Sequence, residues 1–300
     1  MEYFLELFFS GLTRGSIYAL LALGYTMVYG IIALINFAHG EIYMIGAFTA
    51  LIAASILALL GISGLSLLVL AGAIAVVYAS SYGYTVEKIA YKPLRNAPRL
   101  SPLISAIGMS IFLQNYVLLA QTSDFVSFPQ LIPDFEFMEN YRSFMQPSDL
   151  VIISTTVVMM VLLTIFIKFT KIGKAMRATS QDKTMAMLSG VNVDRVISVT
   201  FITGSALAAV GGVLISSHVG QINFYIGFIA GLKAFTAAVL GGIGSIPGAV
   251  LGALILGCTE SFAAGYISSD YEDVFAFGLL VLILIFRPSG LLGRKPSEKV

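Results

Sequence analysis

The sequence has no tryptophan, a single cysteine and two histidines, and only 11% of its 300 residues are charged. Each shortage excludes something. Cys258 alone cannot build a disulfide framework, and with only His39 and His218 beside it a metal centre has almost no ligands to draw on. Soluble domains carry about a quarter charged residues, so an ordinary soluble domain is excluded. The glycine-rich run 241–248 is not a nucleotide-binding loop, because no G-x-x-x-x-G-K-[S/T] occurs. No H-E-x-x-H and no plausibly spaced Ser/His/Asp set occurs either. No catalytic residue is therefore assigned, and neither a bound cofactor, a metal nor a nucleic-acid partner is expected.

What is present is apolar. Hydrophobic residues make up 58% of the chain and the mean hydropathy is +0.92. This predicts an all-α, polytopic transmembrane helical bundle in contact with membrane lipid. At ~20 residues per span the length allows about eight to ten crossings. The N-terminus, Met-Glu-Tyr-Phe, lacks the basic start of a cleaved signal, so the first helix is expected to remain. Apolar stretches fall near 10–35, 41–60, 65–86, 101–119, 150–167, 196–216, 228–244, 246–264 and 274–286. The 228–264 region is broken by its glycines, and its first half is short. It can be two crossings or a re-entrant hairpin, so about eight or nine spans are expected within a range of seven to nine.

Charge is sorted along the chain. Lys88, Lys92, Arg95 and Arg99 make one basic loop, 168–195 a second, and Arg287, Arg294, Lys295 and Lys299 a basic tail. Between them they hold fourteen of the seventeen Lys and Arg residues. The positive-inside rule places these on the cytoplasmic side. The loop 120–149, with Asp124, Asp134, Glu136, Glu139 and Asp149 against Arg142, and the acidic Asp270, Glu272 and Asp273 go outside. The parity then closes with the N-terminus outside and the C-terminus cytoplasmic. The whole of 1–300 reads as one transmembrane domain.

The stretch 168–195 (KFTKIGKAMRATSQDKTMAMLSGVNVDR) organises the rest. Asp182 suits the N-cap of a short helix 183–189, Gly190 suits its left-handed end, and Asp194 suits the cap of the next apolar helix. A basic loop carrying capped, amphipathic turns reads as a docking surface. Two other places interrupt the apolar rhythm: 36–41, with Asn36, His39 and Glu41, and the glycine break after Lys233. The first can be a tight turn at the membrane boundary, with Asn36 as a cap, or a broken helix beside a pathway. Backbone freed at membrane depth needs protein or a water-filled cavity around it. Lys233 reads first as a snorkelling side chain, Glu260 as paired within the bundle, and Arg14 as an interface anchor. Small residues in 206–212 and 248–257 suit close helix packing, and most of the Tyr and Phe residues suit lipid- or interface-facing positions.

The runs 15–20 (GSIYAL), 24–30 (GYTMVYG), 35–41 (INFAHGE), 103–116 (LISAIGMSIFLQNY) and 233–249 (KAFTAAVLGGIGSIPGA) resemble the LivH-type permease of branched-chain amino acid ABC transporters. The likeness runs nearly end to end and weakens only in 120–149. It implies one of two unlike membrane subunits of an uptake system for leucine, isoleucine and valine in a bacterial inner membrane. The implied partners are a LivM-like second permease, two cytoplasmic ATP-binding subunits that use the ATP, and a periplasmic amino-acid-binding protein. The coupling segment of such permeases matches 173–178 (GKAMRA) and continues to Ala186 and Gly190, without the full EAA-plus-glycine pattern of other importers. Gly173, Arg177, Asp182, Ala186 and Gly190 are the expected coupling residues. Asn36, His39, Glu41 and Lys233 are the expected path residues. The competing reading is an ion-coupled secondary transporter with Glu41, Lys233 or Glu260 as its charges.

Overall fold

The computed structural model describes residues 2–95, 97–98, 100–132 and 144–293. Arg99, the acidic-loop residues Asp134, Glu136, Glu139 and Arg142, and the tail residues Arg294, Lys295 and Lys299 lie outside the described residues. The described chain is almost wholly helical, in the order α1 (Glu2–Ile32), α2 (His39–Leu59), α3 (Gly64–Val86), α4 (Leu100–Ala120), α5 (Pro147–Phe169), α6 (Lys171–Gln181), α7 (Lys183–Leu188), α8 (Val193–Val219), α9 (Ile226–Gly241), α10 (Ile246–Tyr266) and α11 (Glu272–Phe286). A π-helical turn, Glu87–Tyr91, and a 3-10 turn, Lys92–Leu94, prolong α3. One strand pair completes the order, β1 (Val126–Ser127) antiparallel to β2 (Gln221–Ile222).

Among the described residues, seven helices are long and apolar enough to cross a membrane: α1, α2, α3 with its extension, α4, α5, α8 and α10. The apolar α9 and α11 have 16 and 15 residues. At 1.5 Å per residue they reach only about 24 and 22 Å, against a hydrocarbon core of ~30 Å. Each expected apolar stretch is thus a helix. The 228–264 region is a helical hairpin, turned at Gly242 and Gly244, whose φ angles of +101° and +95° suit glycine.

Helices α1 and α8 form the core. The apolar windows of α1 and α8 are 83% and 72% buried, against 22% for α3 and α4 and 17% for α5, so α3, α4 and α5 form the outer wall. Lipid tails are as apolar as leucine, so helices in a bilayer associate through close packing, which small side chains permit. The α1–α10 seam shows this. A Cβ on Gly257 would lie 2.3 Å from the backbone nitrogen of Gly15, and one on Gly11 would lie 2.7 Å from the Cα of Cys258. On the α8–α2 seam a Cβ on Gly212 would lie 2.4 Å from the carbonyl oxygen of Tyr43. The small residues expected to pack do so. A minority of the aromatic residues, among them Tyr25, Tyr43, Phe48, Tyr91 and Phe201, are buried inside the bundle. These rings fill gaps between helices that the small residues alone leave open.

Charge separates the two ends of the bundle. The α6–α7 pair, the α3 extension and the start of α8 share one end, where Lys92 and Arg95 both pair with Asp194 and Lys183 donates to the Ile32 carbonyl at 3.3 Å. Backbone bonds from Leu291 and Leu292 to the carbonyls of Leu240 and Gly241 bring the segment after α11 to the same end. Asp149, Asp270, Glu272 and Asp273 stand at the opposite, acidic end.

Candidate functional site

The first site is the break between α1 and α2. Helix α1 ends at Ile32, and Ala33 follows with φ +56°, an uncommon conformation for a residue with a Cβ. The chain then turns inward. Tyr91, from the π-helical turn, donates its hydroxyl toward the carbonyl of Ile35 at 3.2 Å and the Asn36 side-chain oxygen at 3.1 Å. Side chains thus satisfy backbone that the missing helix leaves free, as membrane depth demands. Asn36 is therefore not a helix cap. Ala38 occupies the N-cap position of α2 and makes no side-chain bond.

Helix registers fix the depth of this break. The His39 ring lies beside Gly24 and Gly204. Gly204 stands about 16 Å along the 27-residue α8, near its middle. Glu41 accepts a hydrogen bond from Ser110 at 3.0 Å, and Ser110 is the midpoint of α4. Within 36–41, His39 and Glu41 thus lie in the bundle interior, while Ile35 and Asn36 hang from Tyr91, next to the basic end. Asn36, His39 and Glu41 are buried, Glu41 completely. Glycine makes the approach possible. A Cβ on Gly40 would lie 2.2 Å from the Gly227 carbonyl oxygen and 2.9 Å from the Gly231 Cα, so α2 and α9 meet backbone to backbone. Next to this contact is a pocket of about 240 Å³ between α1, α4 and α9, lined in part by Tyr25, Ser110 and Gln114 and open at the bundle surface, where Ile107, Ile111, Tyr225 and Phe228 are exposed.

Lys233 is placed apart from this group. It is 5% exposed and pairs with Glu260 at 3.3 Å, Glu272 at 3.2 Å and Asp273 at 2.8 Å. Arg14 pairs with Glu272 at 2.7 Å, and Tyr18 donates to Glu260 at 2.7 Å. Lys233, expected to snorkel, is instead a paired cation, and Arg14 joins it in one network linking α1, α9, α10 and α11. Glu260 is paired inside the bundle as expected.

The second site is the basic loop. Helix α6 starts where the Thr170 hydroxyl accepts the Gly173 amide at 2.9 Å. Gly173 touches α5 so closely that a Cβ would lie 2.4 Å from the carbonyl oxygens of Phe166 and Ile167. Arg177 donates back to the Ile167 carbonyl, fixing the same corner. Asp182 caps α7 by accepting from the Thr184 and Met185 amides at 2.8 and 3.0 Å. Ala186 is buried and Gly190 ends the turn at φ +81°. The cap of α8 differs from expectation. Asn192 accepts the Arg195 amide at 3.0 Å, while Asp194 sits inside the first turn and pairs with Arg95 and Lys92. The Asn192 side-chain oxygen reaches the amide three residues on, which leaves Asp194 free to bond sideways. On α7, Met185, Met187 and Leu188 are exposed, Leu188 by 78%.

Sequence reasoning missed Tyr91, Ser110 and Gln114, although Ser110 and Gln114 stand one helical turn apart on an otherwise apolar α4. It also missed α6 as a helix and the buried Glu87, which pairs with Arg95 and accepts from Ser198 at 3.0 Å. An acidic residue beginning a basic loop was the available signal. Among the described residues, no group of three or more His, Cys, Asp or Glu is arranged to hold a metal ion.

Residues 7–284 match the family model described as "Branched-chain amino acid transport system / permease component". The high-affinity branched-chain amino acid transport system permease protein LivH of Salmonella typhimurium is 53% identical over 302 residues, covering 99% of this chain and 98% of the relative. The corresponding protein BraD of Pseudomonas aeruginosa is 52% identical, with the same coverage. A probable LivH from Methanocaldococcus jannaschii is 29% identical over 91% of this chain and 88% of its own length. No solved structure matches. Extended likeness of this kind, carried by a bundle with seven span-length helices, shows that the chain is a multi-pass membrane protein belonging to the family of permease components of branched-chain amino acid transport systems.

Proposed function

We propose that this chain is one membrane-spanning subunit of an ATP-driven ABC importer that carries leucine, isoleucine and valine across a bacterial inner membrane. The observation that carries the reading is the near-full-length identity of about half to permeases named for that transport. Family membership makes the chain a transport component served by other ABC subunits rather than an enzyme. It thereby displaces the ion-coupled alternative. The finer assembly proposed is a LivM-like second permease, two cytoplasmic ATP-binding subunits and a periplasmic amino-acid-binding protein. Charge sorting supports an orientation with the α6–α7 end and the C-terminus in the cytoplasm.

Within that assembly, Gly173, Arg177, Asp182, Ala186 and Gly190 shape the surface that the ATP-binding subunits push. The exposed Met185, Met187 and Leu188 would supply its apolar contact, since methionine adapts to a moving partner. His39 and Glu41 border the path at mid-membrane, Asn36 borders it nearer the basic end, and Lys233 braces its acidic end. Purification through this chain should bring down the ATP-binding subunits and the second permease. The reconstituted complex should take up leucine with ATP inside the cell-side compartment while a protonophore is present. Uptake that follows the proton gradient and ignores ATP would overturn the proposal.

A further inference from the structure

We infer that Glu41 is the docking point for the α-ammonium group of the transported amino acid, whose apolar side chain occupies the adjoining cavity between α1, α4 and α9. This rests on the permease reading above and deepens it by placing a substrate-binding site inside the membrane.

The carboxylate does not line the cavity but lies directly behind it, at the α2–α9 contact. Glu41 is completely buried; Oε1 accepts from Ser110, and Oε2 has no hydrogen-bond partner. No cation pairs with it among the described residues. Lys233 and Arg14 are committed to the acidic network, and the His39 ring is turned to Gly24 and Gly204. A carboxylate buried without a partner is costly to ionise, so this one stays protonated until a compensating charge arrives. Two helix N-termini favour the ionised form once that charge is present. Glu41 lies in the first turn of α2, and Oε2 lies 2.8 Å from where a Cβ on Gly227, in the first turn of α9, would stand. Helix ends and a hydroxyl hold the carboxyl group; none of them is a counter-ion. A carboxyl group already held there excludes the substrate's own carboxylate from the same position and leaves it attractive to a cation.

The neighbouring cavity supplies the rest of the chemistry. Its volume is about 240 Å³, and its wall includes Tyr25, Phe37, Ser110, Gln114, Tyr225 and Phe228. That is below the ~300–1,000 Å³ of drug-sized sites and suits one small solute. The lining is mostly aromatic and apolar, which favours a hydrocarbon side chain. Ser110 both lines the cavity and bonds Glu41, so the carboxyl group lies one hydrogen bond behind the wall. Gln114, one turn along α4, carries a buried amide nitrogen with no partner. That donor suits the substrate carboxylate. An apolar pocket, an amide donor and a carboxylate that an ammonium group reaches by displacing the Ser110 hydroxyl together describe a zwitterionic amino acid with a hydrocarbon side chain.

The test uses the reconstituted transporter, purified with its co-purifying subunits, carrying Cys258→Ser and Ile111→Cys at the cavity wall. The reading is the rate of alkylation by N-ethylmaleimide. Leucine and leucinol, which share the ammonium group, should each slow labelling by about threefold or more. 4-Methylpentanoate, which has the hydrocarbon chain and carboxylate without the ammonium, should not. Glu41→Gln should abolish the protection. Equal protection by 4-methylpentanoate, or protection that survives Glu41→Gln, would overturn the inference. So would the lack of any protection by leucine in a complex that transports leucine. Should the Gln variant not assemble, the leucinol and 4-methylpentanoate comparison with Glu41 in place decides alone. A reconstituted complex that takes up no leucine at all overturns the permease reading on which the site rests.

Discussion

Replacing Asp182 with alanine tests whether α7 is held by its ends. The helix has six residues and buries only Ala186. Isolated helices are marginal below ~12–15 residues, so a helix this short depends on capping and docking. Asp182 accepts the amides of Thr184 and Met185 at 2.8 and 3.0 Å. Losing an aspartate N-cap costs about 1 kcal/mol, within a range of 0.5–2, which is roughly a fivefold shift toward the frayed state. Asp182→Ala should therefore raise hydrogen exchange of the 183–189 amides about fivefold and reduce ATPase stimulation by the loaded binding protein. Asp182→Asn keeps a cap of equal rank and should behave like the parent. Unchanged exchange in the alanine variant would refute the capping argument. Fast exchange with unimpaired stimulation would refute the docking role of α7.

Further expectations come from the other parts of the bundle. Gly190→Val forces a β-branched residue to φ +81° and should cost at least about 1–2 kcal/mol, read as weaker ATPase association at normal membrane levels. Lys233→Met strands the buried Glu260 and should cost about 3–5 kcal/mol in thermal stability of the purified complex, while Lys233→Met with Glu260→Met should recover much of the loss. Gly257→Leu drives a side chain into the α1 backbone 2.3 Å away and should lower membrane levels, as overpacking costs of about 1–3 kcal/mol or more predict. In a Cys258→Ser background, a cysteine at Ser123 should react with an impermeant thiol reagent added outside whole cells, and one at Thr184 should not; the reverse pattern would invert the orientation.

Much of this architecture was legible because each level of the chain repeats the same instruction. Apolar runs gave the helices, and Asp182 and Gly190 marked both ends of α7 by local chemistry that needs no tertiary context. Other features depend on partners distant in sequence. The depth of His39 and Glu41 is set by Gly204 of α8 and Ser110 of α4, and no local pattern around Asn36 reports either of them. Asn192 and Asp194 are both good caps by composition, and the choice went to Asn192 because Asp194 is drawn to Arg95, nearly a hundred positions earlier. Lys233 read as a snorkelling charge because Glu260, Glu272 and Asp273 lie on two later helices. The short α6 escaped notice although Thr170 caps it locally through the Gly173 amide and its apolar residues share one face.

The most direct measurement of the central claim is ATP-driven leucine uptake by Glu41→Gln, Glu41→Ala and Glu41→Lys transporters present at parental levels in the membrane. Glutamine keeps the shape and removes the charge, alanine leaves Ser110 without its acceptor, and lysine places a cation where the substrate's ammonium is to bind. A break that borders the path predicts strong impairment for all three, with lysine abolishing uptake while ATP-binding subunits still associate. Normal uptake by Glu41→Lys would contradict the account.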